Sequence, residues 1–308
     1  MKLNGIHHIT AITGDAQRNV DFYVGVMGLR LVKKSVNQDD PTVYHLFYGD
    51  EHAKPGLDLT FFEYPGAAPG RAGEGMVHRV VWRVGSTDAL DFWSRRLSDN
   101  GIESTRDGDS LLFSDPEGLE HELLVADVPD EPLIAEHPEV PAEHALQGFH
   151  AVRAYSSDPE RSRELLERGL GFEQSGQAWE ARGDERGGLY LYDEPPSERG
   201  IQGAGSVHHV AWNSADEDHV DWQQQVAEHG ARPTQVIDRH YFKSIYFREP
   251  SGVLFELATP SPGFTIDEPL ETLGEKLSIP PRLEELRPQI EATVKPLVNP
   301  RTATRTRA

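Results

Sequence analysis

The chain has 308 residues, of which 37% are hydrophobic and 26% are charged, a mixture typical of globular domains. Asp and Glu number 51 against 30 Lys and Arg, so the formal net charge at pH 7 is −21. This charge argues against a nucleic-acid partner and against an anionic membrane surface, because both attract basic residues. No stretch approaches the roughly 18 apolar residues of a membrane span, and no secretory signal is evident. We therefore expect a cytoplasmic protein.

The absence of Cys excludes disulfides and thiolate metal ligands, and leaves 14 histidines as the candidate ligands. Only 7 of the 30 basic residues are Lys. An acidic, Lys-poor composition is typical of proteins from salt-rich environments, where salt screens the repulsion between surface charges. The composition therefore predicts a halophilic source.

One pattern occurs four times along the chain: a glycine, a short strand that contains His, and a helix that ends near another glycine. The copies begin at Gly5, Gly75, Gly148 and Gly205. The second and fourth copies end in the related segments LLFSDPEGLEHELLV and IYFREPSGVLFELAT, in which a Pro-x-Gly turn joins two strands. Such repetition predicts an α+β fold made of four βαβββ modules.

A proline-rich, acidic stretch at residues 128–146 separates the second module from the third. We therefore predict two paired-module domains, at residues 1–127 and 147–262. Residues 263–308 leave the repeat and form a C-terminal extension, whose basic end, RTATRTRA, we interpret as a solvated tail.

One strand position holds histidine in every module: His7, His78, His150 and His208. We interpret this recurring position as part of the scaffold. The next position varies and holds His8, Arg79, Ala151 and His209. Because neighbouring strand residues point to opposite faces, only one member of each His-His pair can face a given cavity. Functional residues tend to occupy the positions that vary between copies of a repeated scaffold, so we predict that His8 and His209 bind a metal.

The third ligand is predicted to be Glu256, the sole acid in the apolar strand GVLFELAT. A carboxylate buried in such a strand is costly unless a cation or a hydrogen-bond donor meets it. The repeat mate of Glu256 is Glu122, but Arg79 replaces the histidine there, so we interpret that pair as a vestigial site closed by an ion pair. Two His and one carboxylate make the facial triad of non-haem Fe(II) oxygenases.

With these motifs the chain resembles the vicinal oxygen chelate superfamily, and within it the hydroquinone-type ring-cleaving dioxygenases. The resemblance covers residues 1 to about 280 and includes the segments IHHIT, VYHLFYGD, KPGLDLTFF, HHVAW, RHYFKSIYFREPSGVLFE and PGFTIDEP. It implies Fe(II), or alternatively Mn(II), bound by the same three residues. It also implies that Tyr246 and Arg239 are catalytic and that His7, Thr10 and His208 contact the substrate. Strand alternation disfavours His7 and His208 in that role unless the strand twists or ends there.

The reaction implied by the resemblance is extradiol-type opening of a hydroquinone-type or catechol-type ring by O2. One alternative is a glyoxalase-like lyase or isomerase that uses Zn or Ni, with Glu63 as a fourth ligand. Glu63 lies seven residues after Gly56, whereas Glu256 lies four after Gly252, so the registers of the two acids differ. The other alternative is a metal-free, drug-sequestering resistance protein. The sequence leaves the oligomeric state open, including a homo-oligomer.

Overall fold

The computed structural model describes residues 1–301, and these contain the four predicted βαβββ modules. Module one comprises β1 (Leu3–Thr13), α1 (Ala16–Val20) with a π-helical continuation (Asp21–Val26), β2 (Arg30–Val36), β3 (Tyr44–Gly49) and β4 (Asp58–Glu63). Module two comprises β5 (Val77–Val84), α2 (Thr87–Asp99), β6 (Ser104–Asp107), β7 (Ser110–Ser114) and β8 (Glu120–Val125).

The second half repeats this order after a single 3₁₀ turn (Ala142–His144). Module three comprises β9 (Phe149–Tyr155), a 3₁₀ turn (Pro159–Ser162), a π-helical turn (Leu165–Gly169), β10 (Glu173–Ser175), β11 (Ala178–Arg182) and β12 (Gly187–Asp193). Module four comprises β13 (Val207–Ser214), α3 (His219–Glu228), β14 (Ile237–Asp238), β15 (Lys243–Arg248) and β16 (Leu254–Ala258). As far as residue 301, the extension contains three 3₁₀ turns (Phe264–Ile266, Leu270–Thr272 and Pro281–Leu286) and α4 (Arg287–Thr293).

Helix α2 shows how the sequence builds a module. The Ser86 side chain accepts a hydrogen bond from the backbone N–H of Ala89, and so caps the first turn. The helix buries Ala89, Leu90, Trp93 and Leu97, which recur at helical spacing. Opposite them, the apolar faces of the strands contribute to a core that includes residues of all four modules. None of the helices in residues 1–301 is both long and apolar enough to cross a membrane.

The sixteen strands of residues 1–301 form two eight-stranded sheets. Sheet one has the order β14-β15-β16-β13-β1-β4-β3-β2, and sheet two has the order β10-β11-β12-β9-β5-β8-β7-β6. Each sheet therefore combines one module from each predicted half: modules one and four in sheet one, and modules two and three in sheet two. The sheets thus group the modules differently from their order along the chain, because β1 pairs with β13 and β5 pairs with β9. The division of the chain at 127 and 147 stays a prediction.

The recurring histidine occupies a β-bulge in all four modules. Two steps along β1, from Ile6 to His8, match one step along β13, so His7 is an extra residue in that ladder. The register shifts in the same way at His208, His78 and His150. A bulge bends its strand and changes the direction of a side chain, so simple alternation does not hold at these positions.

The C-terminal extension is anchored beside sheet one by a buried ion pair. Lys33 on β2 is completely buried and contacts the carboxylates of Glu268 and, at 2.7 Å, Asp267. The hydroxyl group of Tyr241 also donates to Asp267, at 3.0 Å. The extension therefore contacts Tyr241, which lines the cavity of the site described next.

Candidate active site

His8, His209 and Glu256, called the triad below, converge from three neighbouring strands of sheet one. The Nε2 atoms of His8 and His209 lie 3.3 Å apart, and they lie 3.2 and 2.9 Å from Oε2 of Glu256. All three side chains are buried. Within residues 1–301 they are the one group of three or more His, Cys, Asp or Glu residues whose ligand atoms lie close enough together to hold a metal ion.

Hydrogen bonds select the tautomer of His8 that can bind a metal. Burial and the neighbouring His8 lower the pKa of His7 to about 3, so the His7 ring is neutral and carries one proton. Nε2 of His7 lies 3.1 Å from the carbonyl oxygen of Thr259, which can only accept, so the proton is on Nε2. Nδ1 of His7 then accepts from Nδ1–H of His8, at 2.9 Å. This leaves the lone pair of His8 Nε2 facing His209 and Glu256.

The second pair repeats this contact in module four. Nδ1 of His208 lies 2.8 Å from Nδ1 of His209, and Nε2 of His209 faces Glu256. Metal-binding histidines in proteins almost always donate their other N–H to a neighbouring group in this way. The bulges explain how consecutive residues make these contacts, because each one brings the two rings of a pair side by side.

The donor set fits a divalent metal. With His8 and His209 protonated at Nδ1, two imidazole lone pairs and a carboxylate face one another in a buried space. Neither oxygen of Glu256 accepts a hydrogen bond from the described residues. Burial by itself would raise the pKa of Glu256, but positive charge on the two imidazoles outweighs it and holds this pKa well below its ordinary value. A metal ion bound at Nε2 of both rings would supply that charge in place of protons. An ionised carboxylate beside two imidazoles suits Fe, Mn or Zn.

Strand register shows why Glu63 does not join the triad. Glu256 pairs with Ala211, two residues after His209. The equivalent partner of module one, two residues after His8, is Thr60. Glu63 lies three residues further along β4 and accepts a hydrogen bond from the N–H of Ala16, at 3.0 Å, at the start of α1. Glu63 is therefore a helix-capping residue and is not part of the ligand group.

Module two contains the ion pair predicted for a vestigial site. Nη1 of Arg79 lies 3.4 Å from Oε2 of Glu122, and Nη2 lies 3.0 Å from Oε2 of Glu120. In module three, Ala151 offers no ligand atom and Leu191 occupies the slot equivalent to Glu256. Sheet two therefore repeats the fold of sheet one without repeating its triad.

A cavity opens beside the triad. Its walls include three aromatic rings and three polar side chains besides the triad: Phe47, Phe62, Phe242, His45, Arg239 and Tyr246. Nε of Arg239 donates to the hydroxyl oxygen of Tyr246 at 3.3 Å, and both of its terminal nitrogens contact Asp39 at 2.9 Å. The two side chains for which the resemblance implies catalysis thus meet beside the triad.

The other three predicted substrate contacts lie outside this cavity. Thr10 is completely buried and is hydrogen-bonded to Thr60 at 2.8 Å. His7 is buried behind His8. His208 is exposed and lines a separate cleft that also reaches His209. Their role in substrate binding stays a prediction.

Two further residues near the triad escaped the sequence analysis. His45 on β3 lines the cavity, although its segment VYHLFYGD served only as a motif of the resemblance. Asp58 on β4 pairs in register with His8, and burial raises its pKa to about 7. Neither oxygen of Asp58 has a hydrogen-bond partner among the described residues. A polar residue in an apolar strand was the available signal in both segments, as it was for Glu256.

Comparisons with known proteins agree with this site. A profile of the Glyoxalase/Bleomycin resistance protein/Dioxygenase superfamily matches residues 5–123 and 148–257. MhqA of Bacillus subtilis, whose name assigns it provisionally to the ring-cleaving dioxygenases, is 42% identical and covers 96% of this chain and 100% of its own length. The chlorohydroquinone/hydroquinone 1,2-dioxygenase of Sphingobium indicum is 33% identical, with 95% and 96% covered.

A solved structure extends the likeness to the whole architecture. The crystal structure of a Bacillus subtilis protein, described provisionally as a dioxygenase, superposes with a TM-score of 0.89 at 42% identity. The match covers 97% of this chain and 98% of the other. The arrangement of modules, sheets and extension is thus shared with that protein.

Proposed function

The chain belongs to the glyoxalase/bleomycin resistance protein/dioxygenase superfamily, and we propose that it is an Fe(II)-dependent dioxygenase that opens a hydroquinone-type ring with O2. One observation carries the proposal: a buried triad with three protein ligands lies at the end of a cavity with aromatic walls. Three ligands leave coordination positions for a substrate oxygen and O2. The names of the relatives from Bacillus subtilis and Sphingobium indicum support the same reaction class.

The triad would hold Fe(II), with Mn(II) as the alternative, through Nε2 of both histidines and the carboxylate of Glu256. Bound there, the metal would supply a Lewis acid that lowers the pKa of a coordinated hydroxyl group, and a site for O2. The aromatic walls orient one ring against this end of the cavity and exclude water. Cleavage breaks the bond between a hydroxyl-bearing ring carbon and its neighbour, and both oxygen atoms of O2 enter the product.

Tyr246 and Arg239 are the side chains placed to act on the substrate oxygen. The Tyr246 hydroxyl oxygen accepts from Arg239, so its own proton remains available to a ligand. Burial and the charge of Glu256 raise the pKa of Tyr246, so this hydroxyl is a donor at neutral pH. Arg239 keeps its positive charge beside Asp39 and attracts an oxygen that loses its proton.

The test is O2 uptake by protein loaded anaerobically with Fe(II), followed by mass analysis of the product. We expect one O2 consumed per hydroquinone, with both atoms of ¹⁸O2 in an opened ring. Glu256→Gln should abolish uptake, whereas Glu122→Gln in sheet two should retain it. Turnover of a hemithioacetal by Zn- or Ni-loaded protein, without O2 uptake, would show a glyoxalase-like enzyme instead. Tight binding of aromatic drugs by metal-free protein, without turnover, would show a sequestering protein.

A further inference from the structure

His45 lines the cavity from β3, whereas the triad lines it from β1, β13 and β16. His209, Thr10 and Thr60 are register partners on β13, β1 and β4, and form one row across sheet one. On β3 the register partner of Thr60 is Phe47, and two residues before it His45 reaches the row through its side chain, with Nε2 at 2.9 Å from Oγ1 of Thr60. Neighbouring strands lie about 4.8 Å apart, so the β3 backbone is roughly 14 Å from that of β13 along the sheet. One aromatic ring with polar groups at both ends can bridge such a span.

The hydrogen-bond chain behind His45 leaves one ring nitrogen for a ligand. Oγ1 of Thr60 also contacts Oγ1 of Thr10 at 2.8 Å, and a hydroxyl group can both donate and accept. The chain can therefore run in either direction, so that Nδ1 of His45 can accept from a ring hydroxyl or donate to it. Nδ1 forms no hydrogen bond with the described residues. The ring itself is held between Phe47 and Phe62, with centroid distances of 3.9 and 4.4 Å.

Several other polar groups of the cavity wall already have hydrogen-bond or ion-pair partners within the protein. The terminal nitrogens of Arg239 bind Asp39, and the hydroxyl group of Tyr241 donates to Asp267. The side-chain nitrogen of Gln38 donates to the carbonyl oxygen of Arg239.

Tyr246 lies beside the triad. Two polar side chains of the wall remain: Ser35, whose buried hydroxyl group has no hydrogen-bond partner among the described residues, and His45. Of these two, His45 is the one whose ring is held by Thr60.

We propose that His45 recognises the second hydroxyl group of a para-dihydroxybenzene whose first oxygen lies at the triad. This inference rests on the proposed function and deepens it, because it assigns the residue that selects hydroquinones. The two oxygens of a catechol are adjacent and would both lie at the triad, which leaves His45 without a partner. Thr60 would be a positioning residue, because it occupies the β4 position equivalent to that of Glu256 on β16 and its hydroxyl group contacts His45.

The experiment measures equilibrium binding of hydroquinone, phenol and catechol to Zn-loaded protein, which binds ligands without consuming O2. One added hydrogen bond corresponds to about tenfold in affinity, so we expect hydroquinone to bind about tenfold more tightly than phenol. His45→Leu should remove this preference and leave phenol affinity unchanged, which also shows that the site is folded. His45→Gln, which keeps a polar group, should retain part of it. His229→Leu, far from the cavity, is the matched control.

Each outcome separates this inference from the function on which it rests. If wild-type protein binds hydroquinone and phenol equally, or if His45→Leu keeps the preference, the assignment of His45 is wrong while ring binding at the triad stands. If His45→Leu folds poorly, His45→Gln and Thr60→Val test the assignment instead. The assignment is wrong if both variants keep the full wild-type preference for hydroquinone over phenol. If none of the three phenols binds to the wild-type protein, the proposed function fails and the assignment fails with it.

Discussion

At the scale of single residues, the Tyr246 hydroxyl group is the donor best placed for chemistry. Arg239 holds it from two directions, with Nε at 3.3 Å from the hydroxyl oxygen and the guanidinium carbon 5.3 Å from the ring centroid. Asp39 in turn fixes the guanidinium from the mouth of the cavity. In the proposed reaction, this arrangement would present a proton to the substrate without using Tyr246 as a metal ligand.

Tyr246→Phe should therefore lower turnover by about 100-fold or more, the usual contribution of a positioned acid–base group, with metal content unchanged. The ring keeps its packing, so the melting temperature should change little. The measurement is turnover per bound iron beside a thermal melt. Tyr48→Phe is the control, since its buried hydroxyl group donates to Asn19 far from the metal. A fully active Tyr246→Phe protein would contradict the role and transfer proton chemistry to Arg239.

At the scale of secondary-structure elements, the repeat could be predicted and the bulges could not. Glycine spacing, helix caps and the Pro-x-Gly hairpins are local signals, and they correctly indicate the order of strands and helices within each module. A bulge is defined by register against a partner strand, and the partner of β1 lies about 200 residues away. The alternation rule therefore failed to predict that His7 and His8 contact each other.

The bulge contact predicts a difference between two equivalent histidines. His7→Phe should weaken metal affinity by about 10- to 100-fold, because His8 loses the acceptor that keeps its proton on Nδ1. His78→Phe, at the equivalent bulge of sheet two, should leave metal affinity unchanged, since His78 contacts Glu120 and Asp193 and is remote from the triad. Competitive titration with Zn²⁺ measures both variants. Unchanged affinity in His7→Phe, with weaker substrate binding, would instead support the substrate contact implied by the resemblance.

At the scale of the whole molecule, the triad joins opposite ends of the chain. His8 comes from module one, and His209 and Glu256 come from module four, next to it in sheet one. Matched repeat positions could indicate these three residues from the sequence. Modules one and four are joined into one sheet by the antiparallel pairing of β1 with β13, which no local sequence pattern specifies. The same non-local pairing brings β3 and His45 to the cavity, so that residue could not be placed from the sequence.

This placement predicts that the metal stabilises the native state. The three ligands come together only in the folded chain, so a metal that binds them preferentially raises the free energy of unfolding, by about 2.7 kcal/mol at a free concentration of 100 Kd. Removing the metal with a chelator should therefore lower the melting temperature, and adding Mn²⁺ or Zn²⁺ should restore it. Glu256→Gln should abolish this metal-dependent difference. Glu122→Gln, the matched change in sheet two, should preserve it, even if its melting temperature falls because Arg79 loses a partner. Equal melting temperatures with and without metal in the wild-type protein would show that the triad does not bind the ion.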